Sequence, residues 1–142
     1  MWESYPLGGC WILKVRKSQG VLGKLWQDLL FGAIGELFEE PGVVGVTVAT
    51  RSKVDMVSVW NNDNRNPQVR FNIGDKLRKI LNLDSKTTIE YKFHQKSMAD
   101  KSTFCNADAF VFAEKNEDSS DANQNQGKNK RRGKAKKGGN NA

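Results

Sequence analysis

Apolar side chains recur with a helical period between residues 21 and 38 and form the longest regular pattern in the chain. They fall into two adjacent rows with a spacing of four residues, which together make a broad apolar stripe. The rows are Val21, Leu25, Leu29, Ala33 and Leu37, and Leu22, Trp26, Leu30, Ile34 and Phe38. The pattern predicts a helix with Ser18 as its N-cap, ended by residues 39–42, whose apolar face packs on a sheet or on another helix.

Shorter runs rich in β-branched and aromatic residues lie on both sides of this helix and predict strands. The predicted strands span residues 10–15, 43–50, 54–60, 87–94 and 109–113. Only Arg51, Ser52 and Lys53 separate the second strand from the third, so we expect a β-hairpin with a basic tip. Side chains alternate in the fourth strand, with Ile89, Tyr91 and Phe93 on one face and Thr88, Glu90, Lys92 and His94 on the other.

A second helix is predicted to begin near Pro67, because proline is favoured in the first turn of a helix. It directs four apolar side chains inward and ends between Asn82 and Asp84; these side chains are Ile73, Leu77, Ile80 and Leu81. The hairpin and the helices follow one another without regular strand–helix–strand alternation. The sequence therefore predicts the α+β class, with an antiparallel sheet and helices on one of its faces.

Composition divides the chain after residue 113. Residues 114–142 contain no aromatic or aliphatic side chain larger than alanine. Such a segment cannot bury enough apolar area to offset the entropy lost on ordering. We predict one domain, residues 1–113, followed by a disordered low-complexity tail, residues 114–142.

The net charge of +7 arises in this tail. Residues 128–137 hold seven of the 23 Lys and Arg residues and no acid, so the rest of the chain carries 16 basic and 16 acidic residues. This basic block can contact phosphates without sequence preference, and it can also act as a nuclear-import signal. A solubilising tail without a dedicated partner is the other interpretation.

Cysteine usage and hydropathy favour a soluble intracellular protein. Cys10 and Cys105 are too few for the disulfide framework of a small secreted domain, and their spacing matches no zinc motif. No apolar run approaches the roughly 20 residues that cross a bilayer. We therefore expect neither a bound metal nor a membrane-spanning segment.

The chain lacks the local motifs of common enzyme sites. It has no glycine-rich phosphate loop, no Gly-x-Ser-x-Gly turn and no paired His and Cys nucleophile. We interpret His94, the single histidine, as a hydrogen-bonded surface residue, because catalysis needs a positioned partner. Asp55, Asp63 and Asp75 are interpreted as solvated carboxylates. The sequence predicts neither catalysis nor a cofactor.

Tryptophan and charged residues together point to a nucleotide site. The chain holds four tryptophans, and Trp2 is followed directly by Glu3, while Trp60 ends the hairpin whose tip carries Arg51 and Lys53. Aromatic planes stack on bases, a carboxylate accepts hydrogen bonds from the guanine edge, and Arg or Lys binds phosphates. A cationic 7-methylguanine adds a cation–π contribution on an indole face.

Several linked motifs resemble, in order and spacing, the translation initiation factor 4E family of messenger RNA cap-binding proteins over about residues 1–113. They are Met1-Trp2-Glu3, Gly8-Gly9-Cys10-Trp11, Leu25-Trp26, Ile34-Gly35-Glu36, Gly45 to Arg51, Val59-Trp60-Asn61 and Ile89-Glu90-Tyr91. The resemblance implies a curved antiparallel sheet whose concave face holds the cap and whose convex face is covered by helices.

The resemblance also implies roles for individual residues. Trp2 resembles one of the two tryptophans that stack on 7-methylguanine, and Glu3 resembles the carboxylate that accepts its N1 and N2 protons. Trp60 matches the residue that touches the N7 methyl group. Arg51 matches a direct phosphate ligand and Lys53 a neighbouring basic residue.

Other positions are matched less directly or differ. The resemblance matches Lys101 with a basic residue in the loop before the last strand. We expect Trp11 and Trp26 in the core. Cys10 and Met56 stand where family members often carry further basic residues that face the phosphates. The resemblance thus implies a weaker triphosphate clamp than is usual in the family.

These observations predict a non-enzymatic protein that binds capped messenger RNA in translation initiation, in the cytoplasm. The alternative is a truncated or defective paralogue that acts as a non-cap RNA-binding protein or as a regulatory interaction protein.

The length of the domain bears on its partners. The family's N-terminal part holds three strands, a helix and the other stacking tryptophan, and no residues here match it. We expect the sequence to be a piece of a longer cap-binding factor, because a complete protein of this length would leave sheet edges and apolar surface open. The scaffold factor 4G and the 4E-binding proteins dock on the unmatched helix, so they are expected as partners only where that helix exists.

Overall fold

The computed structural model describes residues 2–112. Within them a short 3₁₀ helix, Trp2–Ser4, precedes five strands and three helices. In chain order these are β1 (Gly9–Arg16), α1 (Val21–Ile34), β2 (Val43–Thr50), β3 (Val54–Asn61), α2 (Pro67–Ile80), β4 (Thr88–Phe93), α3 (His94–Asp100) and β5 (Asp108–Val111). The predicted tail and its basic block lie outside the described residues.

The strands form one antiparallel sheet in the order β2-β3-β1-β4-β5. The central strand β1 pairs with β3 along its whole length, from Gly9 opposite Asn61 to Arg16 opposite Val54. The predicted hairpin of β2 and β3 is confirmed, with residues 51–53 as its tip. This arrangement confirms the α+β class and the antiparallel sheet.

The main core lies between one face of the sheet and helices α1 and α2. Odd-numbered side chains of β1 and β3 point into it and are buried: Trp11, Leu13, Val15, Val57 and Val59. Ile73 and Leu77 of α2 and Leu29 of α1 meet them with no exposed surface. Trp11 is thus a core residue, as predicted, and the half-buried Trp26 packs against the same core.

Helix α2 begins as its sequence predicts. The side chain of Asn66 accepts hydrogen bonds from the backbone N–H groups of Gln68 and Val69 and caps the helix at Pro67. Asn and Pro at these positions satisfy or remove backbone donors that the first turn leaves without helical partners.

Helix α1 is shorter than predicted at its C-terminal end. It ends at Ile34, and Gly35 donates a hydrogen bond to Phe31 while Glu36 adopts a positive φ of 54°. Ile34 and Leu37 are therefore exposed, 77% and 52%, although the sequence places them in the apolar rows. The predicted N-cap is also wrong, because Gly20 occupies that position with a φ of 78° and without a side-chain cap.

Helix α3 is not predicted by the sequence pattern. The alternation of residues 87–94 continues through His94, but β4 ends at Phe93 and His94 begins α3. The backbone N–H of His94 donates to the Gly8 carbonyl, which ties this junction to the segment before β1. That contact joins two segments far apart in the chain, so no local sequence pattern indicates it.

Candidate functional site

The face of the sheet opposite to α1 and α2 carries a second, smaller apolar cluster. Its buried members are Cys10 and Ile12 of β1 and Met56 and Trp60 of β3. The register places Cys10 opposite Trp60 and Lys14 opposite Met56, so these even-numbered side chains share the face that does not meet the helices. We call this surface the open face.

Trp60 lies at one end of the open face and is only 5% exposed. Its indole N–H donates to the Thr47 hydroxyl of β2 at 3.0 Å. Its ring centre lies 5.0 Å from that of His94, with 47° between the ring planes. Trp60 is therefore held in one orientation by contacts on two sides.

Trp2 reaches the same cluster from the N-terminal side. It is half-buried and packs against the group formed by Cys10, Ile12, Met56 and Trp60. The 3₁₀ helix that carries it lies against α3. The structure thus brings Trp2 and Trp60, two predicted site residues 58 positions apart, to one surface.

Glu3 is exposed, and the pKa of its carboxyl group is lowered from its ordinary value. A backbone hydrogen bond of Glu3 itself is the largest cause that lowers its pKa, and the positive charge of Lys101 lowers it further. Lys101 ends α3 with a φ of 56°. The structure therefore places Glu3 and Lys101 within electrostatic reach of each other, beside Trp2.

Arg51 and Phe104 border a cavity of about 260 Å³ on the open face. The guanidinium carbon of Arg51 lies 5.4 Å from the centre of the Phe104 ring, within the range of a cation–π contact. Ile12, Met56 and Trp60 form apolar walls of the same cavity. A second cavity of about 200 Å³ adjoins it at Thr47 and Trp60. Lys53 is exposed at the hairpin tip and lines neither cavity.

Cys10 and Met56 make the floor of the open face apolar. Cys10 is fully buried and Met56 is 5% exposed. Burial raises the pKa of the Cys10 thiol to about 12, despite the nearby positive charge of Lys92. A neutral thiol and a thioether cannot bind phosphate as a cation does. Arg51 lines the same cavity as Met56, whereas Lys92 beside Cys10 is already paired with Asp100.

His94 corrects a prediction from the sequence. It is fully buried rather than on the surface, and its Nδ1 atom lies 2.7 Å from the Tyr5 carbonyl oxygen. The segment after the 3₁₀ helix folds over this end of β4 and covers the imidazole. His94 thereby contacts Trp60 with its ring and holds the segment that follows Trp2 and Glu3.

Lys92 is a second polar residue that the alternation places on an outer face but the structure buries completely. Its ammonium group donates to both carboxylate oxygens of Asp100, at 2.9 and 2.8 Å, and to the Cys105 carbonyl. Asp100 also accepts from the backbone N–H of Ser102. This network fixes the loop 101–106, which presents Phe104 to the open face.

Asp55 is likewise not a solvated carboxylate. It is 6% exposed and forms an ion pair with Lys17. Asp63 binds Arg65 in the loop before α2, and the hydrogen bond from that side chain lowers the pKa of Asp63 to about 2. Asp75 pairs with Lys79 on α2. These acids are thus fixed by separate cations and do not converge on one point.

A cavity of about 540 Å³ lies away from the open face at the end of α1. Glu36, Glu39 and Glu40 line it. This concentration of carboxylates opposes the binding of a phosphate. Among residues 2–112 there is no cluster of three or more His, Cys, Asp or Glu that could hold a metal ion. None of the helices in this range is long and apolar enough to span a membrane.

Residues 1–109 match the sequence profile of a family described as Eukaryotic initiation factor 4E. Eukaryotic translation initiation factor 4E1 of Drosophila melanogaster is 33% identical over 102 residues, which are 69% of this chain and 39% of that protein. Eukaryotic translation initiation factor NCBP of Oryza sativa subsp. japonica is 32% identical over 109 residues, 75% of this chain and 47% of that protein. The chain spans less than half the length of these relatives.

Solved structures of similar fold are complexes of relatives. One contains C. elegans eIF4E-3 with the 4E-binding protein Mextli and a cap analogue; its TM-score is 0.65 at 32% identity, over 70% of this chain and 58% of that one. Another contains Ascaris suum eIF4E-3 with an m7G cap; its TM-score is 0.62 at 35% identity, over 69% of this chain and 58% of that one. The sequence profile and these structures together show that the chain belongs to the eukaryotic initiation factor 4E family.

Proposed function

We propose that this chain binds the 7-methylguanosine cap of messenger RNA and acts in translation initiation, in the cytoplasm. The observation that carries the proposal is the open face, where Trp2, Trp60 and Arg51 meet in a member of the 4E family. The relatives solved with a cap analogue or an m7G cap support the choice of ligand. The role is one of binding and includes no catalytic step.

Trp2 is the proposed stacking surface for the methylated base. Its indole is half-buried, so one part of it packs on the cluster and the rest is accessible to a ligand. Glu3, with its pKa lowered, offers a carboxylate to the N1 and N2 protons of guanine. Only guanine presents two adjacent N–H donors of this kind on its Watson–Crick edge.

Trp60 is proposed to contact the N7 methyl group, since it is the aromatic residue that borders both cavities of the open face. Arg51, with Lys53 and Lys101 beside the site, is proposed to contact the phosphates. Cys10 and Met56 leave fewer cations for the triphosphate than family members often have. Each missing charge-assisted contact costs about 1 to 3 kcal/mol of binding free energy.

The protein partners follow from the same membership. The relative from C. elegans is bound to the 4E-binding protein Mextli in its complex. We propose a 4E-binding protein or the scaffold factor 4G as a partner of the protein to which this chain belongs, on the condition that the family's N-terminal helix is present there.

The test is retention of the 142-residue protein on 7-methyl-GTP resin. We expect retention, release by 7-methyl-GTP, and no release by GTP at the same concentration. Glu3→Gln should lower the preference for 7-methyl-GTP over an adenine cap analogue about tenfold, because it removes the negative charge and replaces one of the two acceptor oxygens by an NH₂ donor.

Glu36→Gln is the matched control, because it neutralises an exposed glutamate at the distant end of α1. It should leave the preference unchanged. Equal affinity of the unaltered protein for guanine and adenine analogues would refute the proposal.

A further inference from the structure

Three exposed cations surround the end of the β2–β3 hairpin and the adjoining end of β1. They are Arg16, Arg51 and Lys53, which we call the basic rim. Arg51 contacts the Phe104 ring. Among residues 2–112, neither Arg16 nor Lys53 has a carboxylate within ion-pair distance.

Neighbouring charges do not neutralise the basic rim. Lys14 and Lys17 lie on the same stretch of chain, but each is already paired, Lys14 with Glu90 and Lys17 with Asp55. Glu90 and Asp55, the acids of the surrounding strands, are therefore already paired with these lysines. The rim therefore keeps a local excess of three positive charges, although the domain as a whole carries similar numbers of acids and bases.

The register of the sheet brings the rim together. Arg16 is the partner of Val54, the residue after Lys53. Thr50, the residue before Arg51, is the partner of Asp55, the residue after Val54. Since β1 and β2 flank β3, the ends of β1 and β2, at Arg16 and next to Arg51, lie about 10 Å apart. Phosphates of one polynucleotide strand could bridge such a spacing.

The rim is continuous with the proposed cap site. Arg51 lines the cavity that Trp60 also lines. From Trp60 to Val54 the strand β3 covers about 20 Å. The even-numbered positions along the neighbouring strand β1 change from apolar at Cys10 and Ile12 to basic at Lys14 and Arg16. A chain anchored at Trp60 and directed along the strands thus leaves the apolar floor and reaches the rim.

We propose that Arg16 extends the phosphate contacts of Arg51 and Lys53 to the phosphodiester backbone of the RNA that follows the cap, as a contact that the cap itself does not need. This inference rests on the proposed function. Contacts of Arg and Lys with phosphates carry no base specificity, so the rim adds affinity for any capped RNA of sufficient length. It compensates in part for the cations that Cys10 and Met56 replace.

The experiment compares 7-methyl-GTP with a capped RNA of about eight nucleotides, by titration of the full chain at several salt concentrations. We expect tighter binding of the capped RNA. Arg16→Gln should weaken that binding several-fold and make its log–log salt dependence shallower by about 0.7 for one lost phosphate contact. The affinity for 7-methyl-GTP should not change. Lys24→Gln, which neutralises an exposed lysine of α1, is the control and should change neither affinity.

The outcomes separate the two proposals. If 7-methyl-GTP binds but the capped RNA binds no more tightly, or if Arg16→Gln behaves as Lys24→Gln does, the rim proposal is wrong and cap binding stands. If neither ligand binds, both proposals are wrong.

Polyglutamate serves as an acidic polypeptide probe. If Arg16→Gln lowers polyglutamate binding as much as it lowers binding of capped RNA, the rim is a general surface for acidic partners instead. Arg16→Glu should enlarge the loss for capped RNA, with circular dichroism as the check of folding.

Discussion

His94 connects the two aromatic parts of the proposed site at the scale of a single residue. The Tyr5 carbonyl can only accept a hydrogen bond, so Nδ1 of His94 carries the proton in this contact. Nε2 is buried and has no hydrogen-bond partner among residues 2–112. Protonation of Nε2 would place a charge in this buried position beside Trp60, which is unfavourable.

The burial of His94 makes the folding stability depend on pH. Burial lowers the pKa of His94 from its ordinary value of 6.5, although the hydrogen bond to Tyr5 acts in the opposite direction. The unfolded chain therefore binds a proton at a higher pH than the folded chain does. We expect the free energy of unfolding, measured in urea, to be constant above about pH 6.5 and to fall as the pH decreases below it.

His94→Gln is the comparison, because the amide can still donate to the Tyr5 carbonyl but does not titrate. This variant should show a flatter profile between pH 7 and 5.5. The carboxylates with lowered pKa values, such as Asp63 and Asp100, lose their contribution only at lower pH, outside this window. An unchanged slope in His94→Gln would contradict the assignment.

At the scale of elements, the approach of α2 to the sheet depends on a glycine. A Cβ atom at Gly74 would lie 2.7 Å from Cζ2 of Trp11 and 2.8 Å from Cζ of Phe112. The Trp11 ring is itself enclosed by aromatic neighbours, with the Tyr91 ring centre at 5.0 Å and that of Phe110 at 5.5 Å. It has little freedom to move aside, so Gly74 sets how closely α2 can lie.

Two glycine substitutions should therefore have opposite effects. Alanine is favoured over glycine in a helix by about 1 kcal/mol, but overpacking a core costs about 1 to 3 kcal/mol. We expect Gly74→Ala to lower the free energy of unfolding by about 1 kcal/mol. Gly23→Ala in α1 meets no atom within 4 Å and should raise it by about 0.5 to 1 kcal/mol. Urea unfolding of both variants checks this, and stabilisation by Gly74→Ala would show that Trp11 can move.

The elements differ in how far their sequences predict them. The strands β1, β2 and β3 and the helix α2 follow from alternation, helical period and the Asn66-Pro67 cap, all of which are local properties. The end of α1 is predicted too late, because the apolar rows continue for one turn beyond Ile34. The spacing of apolar residues does not indicate whether this last turn packs against another element. In the structure Leu37 remains largely exposed.

At the scale of the whole molecule, charge separates into two regions. In the domain that the structure describes, Arg16, Arg51 and Lys53 form the basic rim, whereas residues 128–137 hold a denser block of seven basic residues outside the described range. The alternative function, binding of uncapped RNA, depends on this block rather than on the open face.

Replacing the seven Lys and Arg residues of the block with Gln tests that alternative. We expect the affinity for uncapped RNA to fall and its log–log salt dependence to become shallower by up to about 5. The affinity for 7-methyl-GTP should remain, because the cap site lies elsewhere. Filter binding of labelled RNA at several salt concentrations measures both. Loss of 7-methyl-GTP binding in this variant would place the block within the cap site.

The sequence by itself determined the α+β class, most of the strands, the second helix and the residue types of the candidate site. These depend on periods of two and 3.6 residues and on side-chain chemistry, which are readable without a fold. Only the tertiary structure decided which polar side chains are buried. His94 meets the Tyr5 carbonyl across 89 residues, and Lys17 meets Asp55 across 38. Burial depends on which distant segment of the chain covers a surface, and the local pattern of apolar and polar residues does not indicate that segment.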